Sequence, residues 1–237
     1  KKMRPGFGQF QVASEEYLQF AQQFGATDIL FNTPLIPGDG GKWQLHDLVK
    51  LRLRVEQFGL KLSALENVPT NFYDHIMLNG PKRDQQIENM IFTVRNIARA
   101  GIPIFGYNWM PSHVWRTPPK HIRGGALATA FDDSIAQKYP LTHDREYSEE
   151  EMWANLEYWI KIITPIAEEE GIRLGIHPCD PPVEKLGGIP QLLRSFAAYK
   201  RLVEIYPSDS NAIEFCQGTF SEMKDDIYEM IEYFVSR

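Results

Sequence analysis

Four times along the chain an amphipathic stretch ends in glycine, a short apolar run follows at once, and the run stops at proline or polar residues. The glycines are Gly25, Gly59, Gly101 and Gly171. The runs are residues 28–34 (DILFNTP), 60–69 (LKLSALENVP), 102–111 (IPIFGYNWMP) and 172–182 (IRLGIHPCDPP). Glycine fits the left-handed position that closes a helix, and proline cannot continue a strand ladder, so the punctuation has a physical cause. A first strand near residues 3–10 and a last one at 211–218 (NAIEFCQG), preceded by a helix over 190–205, bring the pattern to about six strand–helix units. Strict alternation predicts an α/β fold on a parallel sheet, either doubly wound or closed as a barrel.

The helices are marked independently. Ile87, Met90, Ile91, Val94 and Ile97 recur at three- and four-residue steps, as one buried face requires. Ser148 followed by Glu151 reads as a capping box that opens a helix with Met152, Leu156, Trp159, Ile160 and Ile163 as its stripe. Pro165 is expected to kink that helix, and a final helix is expected from about Asp225 to Arg237. Residues 112–147 are an insertion after the fourth strand, long enough to be expected as a lid. No linker composition divides the chain, so 1–237 reads as a single domain. A complete six-stranded doubly wound sheet is the plainer architecture. The preferred expectation is a (β/α)8 TIM-barrel type with about six of its eight units present, because a parallel sheet stopping at six leaves two unpaired edges.

Composition narrows the function classes. The formal net charge is −6, without a basic stripe, which argues against nucleic acid as a partner. No apolar run approaches the roughly 18 residues needed to cross a bilayer, so no membrane role is expected. Cys179 and Cys216 are too few for a disulfide framework, and a cytoplasmic setting is the expectation. No glycine-rich phosphate loop appears.

In either architecture ligands bind at the carboxyl ends of the strands. Polar residues concentrate there: Asn32, Glu66, Asn67, Tyr107, Asn108, Trp109, His177, Asp180, Cys216 and Gln217. His177 and Cys216 end consecutive strands, and an imidazole with a thiolate suits a first-row divalent metal. On spacing alone two ligands do not make a site, and a hydrogen-bonded His beside a small buried Cys is the simpler reading. Glu66 reads as a base or substrate clamp, or as an ordinary solvated acid. Asp180 is placed to orient His177 or to cap the DPP turn. Tyr107, Asn108 and Trp109 would offer hydrogen bonds and a stacking surface to a polyol, with core packing as the alternative for the aromatics. Arg116 opens the insertion and could clamp a substrate carboxylate.

At these residues the sequence resembles the mannonate dehydratase family, metal-dependent lyases on the xylose-isomerase-like barrel. The likeness is strongest at ENVP (66–69), 95–111, 149–182 and EFCQGTF (214–220). It implies removal of water from D-mannonate to give 2-dehydro-3-deoxy-D-gluconate, a step of hexuronate breakdown. It also implies a divalent metal, Mn2+ first and Fe2+, Co2+ or Mg2+ after it, held by His, Cys, His and Asp. His177 and Cys216 match the first two ligands; the YNWMP strand end and Arg116 match substrate-pocket positions; Glu66 matches a strand-end acid. Cys179 stands where the family usually has Asp. The remaining metal ligands and the acid/base residues are expected beyond Arg237, so this chain is expected to hold half of the site and to be inactive alone. A sugar isomerase or epimerase of the same barrel class, or an inactive sugar-acid-binding module, are the competing readings. The substrate expected is a small sugar acid, and the resemblance leaves room for a homodimer.

Overall fold

The computed structural model describes residues 3–236. Six parallel strands form the main sheet: β1 (Gly6–Phe10), β2 (Asp28–Asn32), β3 (Lys61–Glu66), β4 (Ile104–Tyr107), then, after a small antiparallel hairpin of β5 (Thr117–His121) and β6 (Leu127–Ala130), β7 (Arg173–Ile176). A second hairpin, β8 (Lys185–Leu186) and β9 (Ile189–Pro190), precedes the last parallel strand, β10 (Asn211–Ile213). Between them run α1 (Glu15–Gln23), α2 (Leu45–Glu56), the single turn α3 (Asp74–Met77), α4 (Arg83–Arg99), the short α5 (Asp133–Ala136), α6 (Glu149–Glu170) and α7 (Phe196–Ile205). The short α8 (Gln217–Glu222) and α9 (Ile227–Val235) follow.

Strand order decides between the two architectures. The sheet runs β1-β2-β3-β4-β7-β10, so each parallel strand lies beside its predecessor and the order never reverses. A doubly wound sheet reverses at a switch point; a barrel wall does not. The six strands therefore form an arc of barrel wall, and among the described residues β1 and β10 do not pair with each other. On the inner face lies a cavity of about 330 Å³, lined by Leu30, Ala64, Ile104, Gly106, Gly175 and Glu214 among others.

Local chemistry explains the units. Gly25, Gly59, Gly101 and Gly171 all take positive φ, between 67° and 80°, where each preceding helix closes. Ser148 and Glu151 form the reciprocal capping box of α6. That helix continues past Pro165 to Glu170. The outer face of the sheet packs on the helices through Phe31, Phe105, Tyr107 and Trp159, all essentially inaccessible to solvent. Three boundaries differ from expectation. Residues 189–190 form a strand edge rather than the start of α7, β10 ends at Ile213, and residues 217–222 turn helical with Cys216 as N-cap. The insertion is folded on itself and tied to the second hairpin. Thr142 N–H donates to the Gly187 carbonyl (3.0 Å), Tyr147 N–H to that of Gly188 (3.0 Å), and the Ser112 hydroxyl to that of Leu186 (3.2 Å).

β1 is anchored to β2 and β3 by a charge. Arg4 donates from Nε and Nη2 to both oxygens of Asp28 at 2.8 Å, and the hydroxyls of Thr27 and Ser63 donate to the same carboxylate. The Arg4 hydrogen bonds hold the Asp28 carboxyl far below the usual range, although burial opposes them. Because this folded-state pKa is depressed, the stabilisation is complete above the unfolded value of about 3.9 and is lost as pH falls through the folded one. Asp28→Asn should therefore lower stability at pH 7 by about 1–3 kcal/mol. In denaturant titrations the gap between wild type and variant should narrow as pH drops below about 4; a gap that stays constant down to strongly acid pH would refute this account.

Candidate metal centre

Strand parity sorts the candidate residues. Glu66 stands opposite Gly106, Gly106 opposite Gly175, and Gly175 opposite Ala212 in consecutive ladders. Side chains alternate along a strand, so Asn32, Glu66, Asn108, His177 and Glu214, at or just past their strand ends, share the parity of the cavity-lining Leu30, Ala64, Ile104, Arg173 and Ala212. Tyr107 and Trp109 have the opposite parity. They are 2% and 0% exposed, and Tyr107 packs edge-on to Trp159 of α6 at 6.3 Å between ring centroids. The expectation that these two aromatics touch substrate is corrected accordingly: they are core residues. Asn108 is the member of that triplet that turns to the polar layer, where its Nδ2 donates to Asn67 Oδ1 at 2.7 Å.

Within that layer the ligand atoms of Glu66, His177 and Glu214 lie within 4.8 Å of one another. Two glycines make the space. A Cβ on Gly106 would stand 2.6 Å from Glu214 Oε2, and one on Gly175 would meet the Glu214 backbone and Cβ at 3.5 Å. The Glu214 carboxylate is thus seated in a cradle formed by the bare backbone of β4. Glu66, 4% exposed, takes a hydrogen bond of 2.6 Å from Gln9 Nε2. Burial pushes the Glu66 carboxyl upward against the charge of His177. Burial, joined by the Glu66 charge, does the same to Glu214.

His177 lies close enough to Cys216 to pull its thiol down to about 7, although Cys216 is not among the three residues whose ligand atoms converge within 4.8 Å. Burial works against a charged His177, but Cys216, Glu214 and the Pro178 carbonyl together hold the imidazole above its ordinary value. Nδ1 lies 2.7 Å from the Pro178 carbonyl oxygen, which can only accept. The neutral ring therefore keeps its lone pair on Nε2, the form a metal ligand needs. Two carboxylates and an imidazole form a donor set that fits a divalent cation, with the low-pKa Cys216 thiol beside His177 but outside that group. The buried carboxylates also call for positive charge, since an unpaired buried anion is costly. Asp180 is elsewhere: both its oxygens accept from Arg116, at 2.9 and 2.8 Å, so it orients the guanidinium rather than His177. Glu222 of α8 lies close enough to both to add its charge. Cys179 is fully buried, with its thiol pushed up to about 12 by that burial. His113 and His143 of the insertion lie close enough to each other, and to Asp74 of α3, for both charges to act on His143. The acid/base residues expected beyond Arg237 fall outside the described residues.

Glu214 and Gln9 were missed in the sequence. Glu214 had no local signal, since β10 ends at Ile213 and the chain turns at once, with the Cys216 N–H on the Glu214 carbonyl at 2.9 Å. Gln9 had none.

Comparison with known proteins gives a consistent set of similarities. The family model described as D-mannonate dehydratase (UxuA) matches residues 7–237. A protein of Streptococcus pneumoniae named mannonate dehydratase is 32% identical over 253 residues, covering 95% of this chain and 67% of the relative. The crystal structure of mannonate dehydratase from Streptococcus suis serotype 2 superposes with a TM-score of 0.89 at 32% identity, over 99% of this chain and 69% of that one. A 3-keto-D-glucoside 4-epimerase from E. coli matches at TM-score 0.62 and 13% identity, over 99% and 76%, a likeness of fold alone.

Proposed function

This chain belongs to the mannonate dehydratase family, and from that premise we propose that it serves the metal-dependent removal of water from D-mannonate, giving 2-dehydro-3-deoxy-D-gluconate. The observation that carries the reading is the convergence of Glu66, His177 and Glu214 at the strand ends of a barrel wall, with Cys216 beside His177. No described helix is long and apolar enough to cross a membrane.

The proton on C2 of a sugar acid lies beside a carboxylate, and its removal builds negative charge on those oxygens before the C3 hydroxyl departs as water. A divalent cation, Mn2+ in our reading, supplies Lewis-acid stabilisation of that charge when bound. The chain's own residues set the stage for it. His177 holds its proton on Nδ1 against the Pro178 carbonyl and presents Nε2; Glu66 and Glu214 supply hard oxygen donors; Cys216 supplies a soft one. The amides of Asn32, Asn67 and Asn108 line the same mouth with donors and acceptors suited to hydroxyl groups. Arg116, at the base of the first hairpin and braced by Asp180, is the cation offered to the substrate carboxylate.

The direct test is formation of a 2-keto acid from D-mannonate on addition of Mn2+. Turnover of an aldose or ketose instead would favour an isomerase or epimerase, and saturable sugar-acid binding without turnover a binding module. Arg116→Ala should raise KM by about 10-fold with kcat changed far less, as the loss of one bidentate carboxylate contact predicts. An unchanged KM would leave Arg116 as only the latch of the hairpin on Asp180.

A further inference from the structure

Arg116 commits its donors unevenly. Nη1 donates to Asp180 Oδ1 at 2.9 Å and to the Trp115 carbonyl at 2.8 Å, while Nη2 donates to Asp180 Oδ2 at 2.8 Å. A guanidinium carries five N–H groups in a flat fork. The two that remain, the Nε–H and the outer Nη2–H, lie side by side on one edge, and among the described residues no acceptor takes them. That edge has the spacing that meets both oxygens of a carboxylate. The Arg116 side chain is 40% exposed and that of Asp180 only 20%. Asp180 is fixed in its turn by its backbone N–H, which donates to Sδ of the buried Met110 at 3.1 Å just past β4. Glu222 of α8 is a second acid whose charge Arg116 feels, but no hydrogen bond joins the two.

We propose that Asp180 is a positioning residue for the acid end of the substrate: by engaging the Nη1–Nη2 edge of Arg116, it leaves the Nε–Nη2 edge as the fork that selects a sugar acid over the matching neutral polyol. A long, half-exposed arginine loses rotamer freedom when it is ordered. Asp180 imposes that order before the substrate arrives, which is the advantage of preorganisation. Charge alone points the other way, because an acid beside Arg116 weakens its pull on an anion. Positioning and charge therefore carry opposite signs and can be separated. The inference rests on the dehydratase reading above, in which Arg116 meets the substrate carboxylate, and it makes no use of the metal ligands.

The test is calorimetric binding of D-mannonate and of D-mannitol, its neutral counterpart, without added metal so that nothing turns over, and with thermal unfolding alongside. Wild type should prefer the acid. Asp180→Asn, an isosteric change, should weaken D-mannonate binding by about 3- to 5-fold and leave D-mannitol binding as it is. The loss is smaller than that for Arg116→Ala, since a positioning residue cannot contribute more than the group it positions. In the Arg116→Ala background Asp180→Asn should have no further effect. Glu222→Gln removes the same charge without a hydrogen bond, so D-mannonate affinity should hold or rise. Unchanged or tighter D-mannonate binding in Asp180→Asn would overturn this inference alone, making Asp180 a bystander or a competitor for the guanidinium. Equal losses for both ligands, or a further loss in the Arg116→Ala background, would also overturn it. So would a fall in Glu222→Gln as large as that in Asp180→Asn. Should Asp180→Asn fail to fold, Asp180→Ser carries the same comparison. A wild-type chain that binds both ligands alike, or neither, would overturn it together with the reading of Arg116 as the carboxylate clamp.

Discussion

His177→Ala is expected to abolish measurable Mn2+ binding and to lower kcat/KM for D-mannonate by at least about 10³-fold, some 4 kcal/mol of transition-state stabilisation. The imidazole is the one cation-forming group of the centre. Its ligand atom lies within 4.8 Å of those of Glu66 and Glu214, its charge partly offsets theirs, and it pulls the Cys216 thiol down. Removing it leaves two carboxylates beside each other without its positive charge. The readouts are a Mn2+ titration and 2-keto acid formation, with circular dichroism to confirm the fold. Retained Mn2+ affinity would mean that the cation sits elsewhere, and the centre described here would have to be abandoned.

Gly106→Ala is the sharper test of the cradle. The added methyl would stand 2.6 Å from Glu214 Oε2 and 3.4 Å from Glu66 Cα. The atom that must give way is the far end of a flexible side chain, so the fold should tolerate the change. Alanine inside a strand even recovers about 0.5–1 kcal/mol relative to glycine. Eviction of the Glu214 carboxylate should cost about 10–100-fold in Mn2+ affinity. Gly175→Ala is the internal control. Its methyl would make only ordinary contacts, at 3.5 Å and beyond, with Glu214, and its affinity should stay near wild type. If both variants bound Mn2+ as wild type does, Glu214 would not be a ligand.

How much of this was legible beforehand varies residue by residue. The units were legible because their punctuation is local. Gly25, Gly59, Gly101 and Gly171 close helices through their own left-handed φ, and Ser148 and Glu151 cap α6 within four residues. His177 and Cys216 were legible as a pair because each ends a strand and the strands are neighbours. The register that puts Gly106 between Glu66 and Gly175 was not legible, since it depends on how three strands slide against one another. Nor was the inward turn of Glu214, which needs that glycine. The aromatics of the YNW triplet went wrong for a related reason. A strand end names the residues near a pocket, but only alternation says which of them face it; Tyr107 packs on Trp159 of α6, and Trp109 is wholly buried.

Sequence by itself determined the class of fold, the sites of helix closure and the two residues, His177 and Cys216, around which chemistry could gather, because these follow from backbone propensity and side-chain type. The tertiary structure alone decided that the sheet winds as a barrel wall, that Glu66 and Glu214 join the pair, that Asp180 belongs to Arg116, and that Gln9 reaches over β2 to Glu66. Those outcomes turn on distances between residues far apart in the chain, and strand order and register, which no local propensity encodes, set those distances.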